Sequence, residues 1–78
     1  MKQLLIIVPK GSLIDSYLMK SFRVYARLSE TENMVYYKDI GFSTSMETIS
    51  HLTTMFMLSD FSVNCKHGDY ILRVRSCV

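Results

Sequence analysis

Apolar residues come in short runs along this chain, separated by turn-forming polar residues, and the period within each run assigns it to a strand or a helix. Leu4-Leu5-Ile6-Ile7-Val8 is apolar at every position, which predicts a strand flanked and covered on both sides, at the centre of a sheet. Pro9-Lys10-Gly11 ends that run. Ser12, with Asp15 three residues later, then marks a helix start, because the serine side chain can satisfy a free amide of the first turn. Ile14, Tyr17, Leu18 and Phe22 recur at helical spacing, and the count extends to Tyr25 and Leu28. From Phe22 onward the same residues also alternate, with Phe22, Val24, Ala26 and Leu28 on one side and Arg23, Tyr25 and Arg27 on the other. Period alone therefore fits either one helix over 12–28 or a helix to Ser21 followed by a strand to Leu28. Val24 and Tyr25 suit strands and a hairpin pattern follows, so we take the helix-plus-strand assignment.

Ser29-Glu30-Thr31-Glu32-Asn33 is a polar turn, and residues 34–40 are rich in strand formers. After Gly41, Thr44-Ser45-Met46-Glu47 is a capping box that opens a second helix. Met46, Ile49, Leu52, Thr53, Phe56 and Met57 fall on one side of it, facing a sheet, with Glu47, His51 and Thr54 opposite. Met55 and Leu58 fall outside that stripe. Ser59-Asp60 ends the helix, 61–66 adds a short edge strand, and His67-Gly68-Asp69 turns into a last strand over 70–75. The order strand, helix, strand, strand, helix, strand predicts a single α+β domain over residues 1–78, a ferredoxin-like antiparallel sheet with two helices on one face and an extra short C-terminal hairpin strand. Right-handed crossovers put the first and third strands in the middle.

Seventy-eight residues leave room for one core, and a domain of this size buries only about 60–65% of its unfolded surface, so self-association or a partner would help it. Hydrophobic residues make up 49% and charged residues 21%, which excludes a disordered or charge-dominated chain. Nine Lys and Arg against seven Asp and Glu leave +2, too little for net charge to drive nucleic-acid binding, so any electrostatic site must come from clustering. No apolar run approaches the roughly 20 residues of a membrane span. Pro9-Lys10-Gly11 also interrupts the only stretch that could imitate a secretory signal. The expected location is the cytoplasm, with Cys65 and Cys77 as reduced structural thiols.

The clustering that stands out is of arginine. If Phe22, Val24, Ala26 and Leu28 face the helices, Arg23, Tyr25 and Arg27 point to the open face of the sheet, and Arg73 and Arg75 join them from the last strand. In the expected strand order the two rows occupy opposite edges, flanking the outward apolar residues of the first strand. Such charges also keep edge strands from pairing. Tyr36, Tyr37 and Lys38 are further contacts on chemical grounds. The layout, together with Gly68-Asp69-Tyr70-Ile71-Leu72-Arg73-Val74, resembles the RNA recognition motif over most of the chain, which implies RNA on the sheet face. That family's stacking aromatics have no counterpart in Leu4-Leu5-Ile6-Ile7-Val8, and Tyr36-Tyr37 lacks its basic-Gly-aromatic-Gly pattern, so no RNA-binding residue carries over.

Other constellations are weaker. Pro9-Lys10-Gly11-Ser12 between strand and helix has the wrong order and length for a phosphate-binding loop, leaving a turn and a cap. Cys65, His67 and Asp69 alternate along a hairpin, but only Cys77 or His51 would complete a zinc set, and a turn histidine beside a buried cysteine is the simpler account. There is no carboxylate pair, triad or cofactor loop, so neither an enzyme, a small-molecule substrate, a metal nor a cofactor is expected. The expected function is a protein-binding module, an inhibitor or regulator of a larger protein or complex, for instance a phage or mobile-element protein that blocks a host defence complex. Its expected contacts are Arg23, Tyr25, Arg27, Tyr36, Lys38, Arg73 and Arg75, with a homodimer as a further expectation. The alternative is an RNA- or single-stranded-DNA-binding domain using the same face.

Overall fold

The structure, a computed structural model, describes residues 3–75. Seven elements follow one another: β1 (Leu4–Pro9), α1 (Leu13–Lys20), β2 (Tyr25–Glu30), β3 (Met34–Asp39), α2 (Ser45–Met55), β4 (Phe61–Lys66) and β5 (Asp69–Val74). The strands form one five-stranded sheet in the order β2-β3-β1-β5-β4. It is mixed: β1 runs antiparallel to β3 and parallel to β5, while β2–β3 and β4–β5 are antiparallel. This is a small α+β domain, in which the extra edge strand over 61–66 makes five strands where a ferredoxin-like sheet has four, and the sheet is mixed where the expectation is uniformly antiparallel. The departure lies after α2. The chain returns at the sheet edge as β4, reverses through His67 and Gly68, and β5 takes the place beside β1. Both turn residues have positive φ, 54° and 84°, as a two-residue type I′ turn between Lys66 and Asp69 requires.

Both helices start where the capping chemistry puts them. Ser12 accepts from the Asp15 amide and Thr44 from the Glu47 amide, while the Glu47 side chain reaches back to the Thr44 backbone. One core joins the helices to one face of the sheet. It contains Leu4, Ile6, Val8, Val35, Tyr37, Leu72 and Val74 from the strands, and Ile14, Leu18, Ile49 and Leu52 from the helices. Each such aliphatic side chain contributes roughly 1.5–3 kcal/mol by leaving water. Tyr17 links the two helices, its ring 5.5 Å from that of Phe56. On α2 the expected stripe is narrower than its apolar residues suggest. Met46 and Met57 are exposed and Thr48 is buried, because the Thr48 hydroxyl donates to Asp39 at 2.7 Å. Leu58, outside the stripe, packs against the core.

The strand after α1 corrects the sequence expectation in phase. Ser21 accepts from the amides of both Val24 and Tyr25 at 2.9 Å, and this turn delays the strand to Tyr25. Tyr25 pairs with Asp39 and Arg27 with Tyr37, so Tyr25 and Arg27 lie on the helix side and Ala26 on the open side. A shift of one residue inverts every side chain of a strand. The inverted phase buries the Tyr25 ring, 6.3 Å from Tyr17, a larger apolar gain than burying Ala26 would give. Phe22, Val24 and Leu28, expected in the core, are exposed.

Candidate functional site

The face of the sheet away from the helices carries two complete rows of side chains, set by strand register. One runs Ala26, Lys38, Leu5, Ile71, Asn64 from β2 to β4, and the next runs Ser29, Tyr36, Ile7, Arg73, Ser62. The middle of each row is apolar because β1 is apolar on both faces, and the flanks are aromatic, basic or amide. Ile7 is only 2% exposed although the helices pack on the opposite side, as expected where a tyrosine and an arginine stem flank an aliphatic residue. Leu5, Tyr36, Lys38 and Ile71 are half-buried and Arg73 is exposed. The result is a flat, mixed surface with an apolar centre.

Of the seven contacts expected from sequence, the structure brings Tyr36, Lys38 and Arg73 together on this face. Arg75 follows β5 in the same alternation and is held near the edge, its guanidinium 3.7 Å from Asp60. The other three are elsewhere. Arg23 lies in the turn before β2, 6.0 Å over the Phe22 ring. Tyr25 is in the core. Arg27 projects on the helix side, donating to Glu30 at 3.0 Å and to the Tyr37 hydroxyl at 3.3 Å, with Asp15 3.9 Å away. With β5 second from the edge rather than at it, the two arginine rows do not flank one face as a pair.

Arg27 belongs to a polar network that the sequence does not reveal. Asp15 is 3% exposed, and its carboxylate accepts from the Tyr37 hydroxyl at 2.6 Å and from the Gly11 amide at 2.8 Å. Gly11 sits at φ 82° with open space around its α-carbon, the conformation that turns its amide toward Asp15. The anion at the start of α1 is thus the chain's own carboxylate, leaving the turn-and-cap assignment for Pro9-Lys10-Gly11-Ser12. Burial pushes the Tyr37 hydroxyl up to about 12, with the Asp15 hydrogen bond and charge adding to the effect and Arg27 opposing it. At the exposed end of the network Lys10 donates to Glu30 at 2.8 Å, and that hydrogen bond holds the Glu30 carboxyl below its usual range. The only sequence trace of this network is the acid in the first helical turn.

A shallow depression of about 360 Å³ opens beside β2, lined among others by Arg23, Asp39, Phe42, Glu47 and His51. Its acids have structural duties. Asp39 accepts from the Gly41 amide at 2.9 Å and from Thr48, and Glu47 closes the α2 capping box. Among the described residues no group of three or more His, Cys, Asp or Glu could hold a metal ion. Cys65 stands opposite Tyr70, and it is an exposed thiol, not a buried one. Cys77 lies outside the described residues. Among the described residues no helix is long and apolar enough to cross a membrane.

No protein-family model, curated protein or solved structure matches this chain.

Proposed function

We propose that this chain is a non-enzymatic protein-binding module, acting as an inhibitor or regulator by laying its open sheet face on a larger protein. The observation that carries this is the composition of the two cross-sheet rows: the half-buried Leu5 and Ile71, beside the buried Ile7, form an apolar centre, with Tyr36, Lys38 and Arg73 around it. Tyrosine and arginine beside buried aliphatic surface are the residues that dominate protein–protein affinity. A nucleic-acid groove would favour a continuous basic track. Two of the arginines expected to supply it, Arg23 and Arg27, lie off this face, and Arg27 is ion-paired.

The test is affinity purification of the tagged chain from its native cells, with and without nuclease, beside a Tyr36→Ala/Arg73→Glu variant with an unchanged melting temperature. The expected result is one stoichiometric protein partner that survives nuclease and is lost with the variant. Recovery of nucleic acid alone would overturn the proposal in favour of nucleic-acid binding.

A further inference from the structure

The two edges of the sheet differ. On β2 the register shifts between Arg27 and Ser29, leaving Leu28 as an unpaired bulge residue, a device that breaks the row of outward backbone groups and discourages edge pairing. On β4 the register to β5 runs unbroken from Phe61 to Lys66. The Arg75 amide donates to the Asp60 carbonyl at 2.9 Å, and the two-residue turn closes on Lys66 and Asp69. Bonded pairs alternate along an antiparallel ladder, so Asp60, Ser62, Asn64 and Lys66 direct their backbone groups toward β5. Phe61, Val63 and Cys65 direct theirs outward.

We propose that β4 pairs with β4 of a second copy of this chain, antiparallel, about a two-fold axis through Val63. Outward groups must meet outward groups, so an axis between Val63 and Asn64 is forbidden, and an axis at Val63 engages all three outward residues. Phe61 then exchanges both backbone bonds with Cys65 of the second copy, Val63 with Val63, and Cys65 with Phe61, three pairs of two bonds each. The side chains are self-complementary in this register. On the helix side Phe61 meets Cys65 and the exposed Val63 meets its own copy. On the open side Ser62 meets Asn64, and at each end Asp60 meets Lys66. Opposite charges directly across strands stabilise a ladder, whereas parallel in-register pairing would set Asp60 against Asp60 and Lys66 against Lys66. Asp60 keeps its own Arg75 and gains a second cation. The product is one continuous sheet of two copies with their open faces side by side, so the pairing leaves the proposed protein-binding face free.

Three measurements test it on the full chain. Sedimentation of the wild type across concentration is expected to show a reversible monomer–dimer equilibrium. Lys66→Asp is expected to weaken it roughly tenfold or more, and the charge exchange Asp60→Lys/Lys66→Asp to restore it, with melting curves confirming that each variant is folded. Val63→Cys in a Cys65→Ser/Cys77→Ser chain is expected to form an intermolecular disulfide on mild oxidation, because bonded pairs lie about 5.5 Å apart at Cα, within disulfide reach. A monomer at the highest soluble concentration, a dimer insensitive to Lys66→Asp, or a dimer that Val63→Cys does not cross-link would overturn the pairing.

Discussion

The Tyr37 hydroxyl reaches from the middle of the sheet to the first turn of α1, where it donates to Asp15 Oδ1 at 2.6 Å. Both residues are buried, so this bond fixes the helix start to the central strands at a point where no water competes. It also makes Tyr37 a relay, since the same hydroxyl accepts from Arg27 at 3.3 Å. Three consecutive elements, α1, β2 and β3, are thereby joined by one side chain.

Removing that hydroxyl is expected to cost more than an average hydrogen bond. Tyr37→Phe keeps the ring packed but leaves a buried carboxylate with one donor fewer, a loss of about 1–3 kcal/mol. Tyr37→Phe combined with Asp15→Asn is expected to cost less than the two single changes summed, because the second substitution removes the charge that the first leaves poorly satisfied. Urea unfolding of the four proteins in this cycle measures the difference. Additive losses would show that Asp15 is satisfied without Tyr37.

Alkaline pH tests the same bond from another side. Burial pushes Tyr37 up to about 12, helped by Asp15. It pushes Tyr25 to about 12 as well, with the charges of Tyr17 and Asp39 adding. In the unfolded chain both titrate near 10. A folded value above the unfolded one means that the contribution to stability is fully present below about pH 10 and is lost as pH rises toward 12. The urea midpoint is therefore expected to fall steeply across that window. Tyr37→Phe, less stable to begin with, should show a shallower fall, and tyrosinate absorbance should show a late-ionising component from Tyr25 and Tyr37 that shrinks in this variant.

Much of this architecture is legible in the chain because local signals agree with tertiary ones. Ser12 and Thr44 are caps in sequence and in structure, and the uniformly apolar stretch from Leu4 becomes the central strand. Where two residues compete for one face, the pattern is silent. Val24 and Tyr25 are both strand formers, and the turn at Ser21, which holds two amides, decides which of them enters the core. The open face inherits that ambiguity. Tyr36, Lys38 and Arg73 sit on strands whose neighbours fix the phase, while Tyr25 and Arg27 sit on the strand whose phase is set by a turn. The parallel placement of β5 is equally hidden, because a hairpin signal says that two strands pair and not which of them enters the sheet.

The end of α2 offers a stabilising change. Met57 occupies the left-handed region at φ 51°, with its amide bonded to the Thr54 carbonyl and the Leu58 amide to the Thr53 carbonyl. This is a Schellman closure, which normally carries glycine at that position because a β-carbon is strained there. The Met57 side chain is exposed, so little packing is lost with it. Met57→Gly is expected to add about 0.5–1 kcal/mol and raise the melting temperature by a few degrees. Met57→Ala keeps the β-carbon and should give no such gain, which separates relief of backbone strain from removal of an exposed methionine.

The bulge on β2 makes the last expectation an unusual one, a tolerated deletion inside a strand. Tyr25, Ala26 and Arg27 pair with Asp39, Lys38 and Tyr37, and Ser29 and Glu30 then pair with Tyr36 and Val35. Leu28 alone has no partner in the register. Its side chain is exposed, so deleting it closes the ladder without moving any core residue to the other face, whereas deleting Ala26 would invert Tyr25. The Leu28 deletion is expected to stay folded with stability within about 1 kcal/mol of wild type, and the Ala26 deletion to lose several times that through the displaced Tyr25 ring. The regularised edge should also pair more readily with other chains. Light scattering at matched concentration is expected to rise for the Leu28 deletion relative to wild type while its near-ultraviolet dichroism stays native. A Leu28 deletion that unfolds would show that the bulge supports the strand instead of guarding its edge.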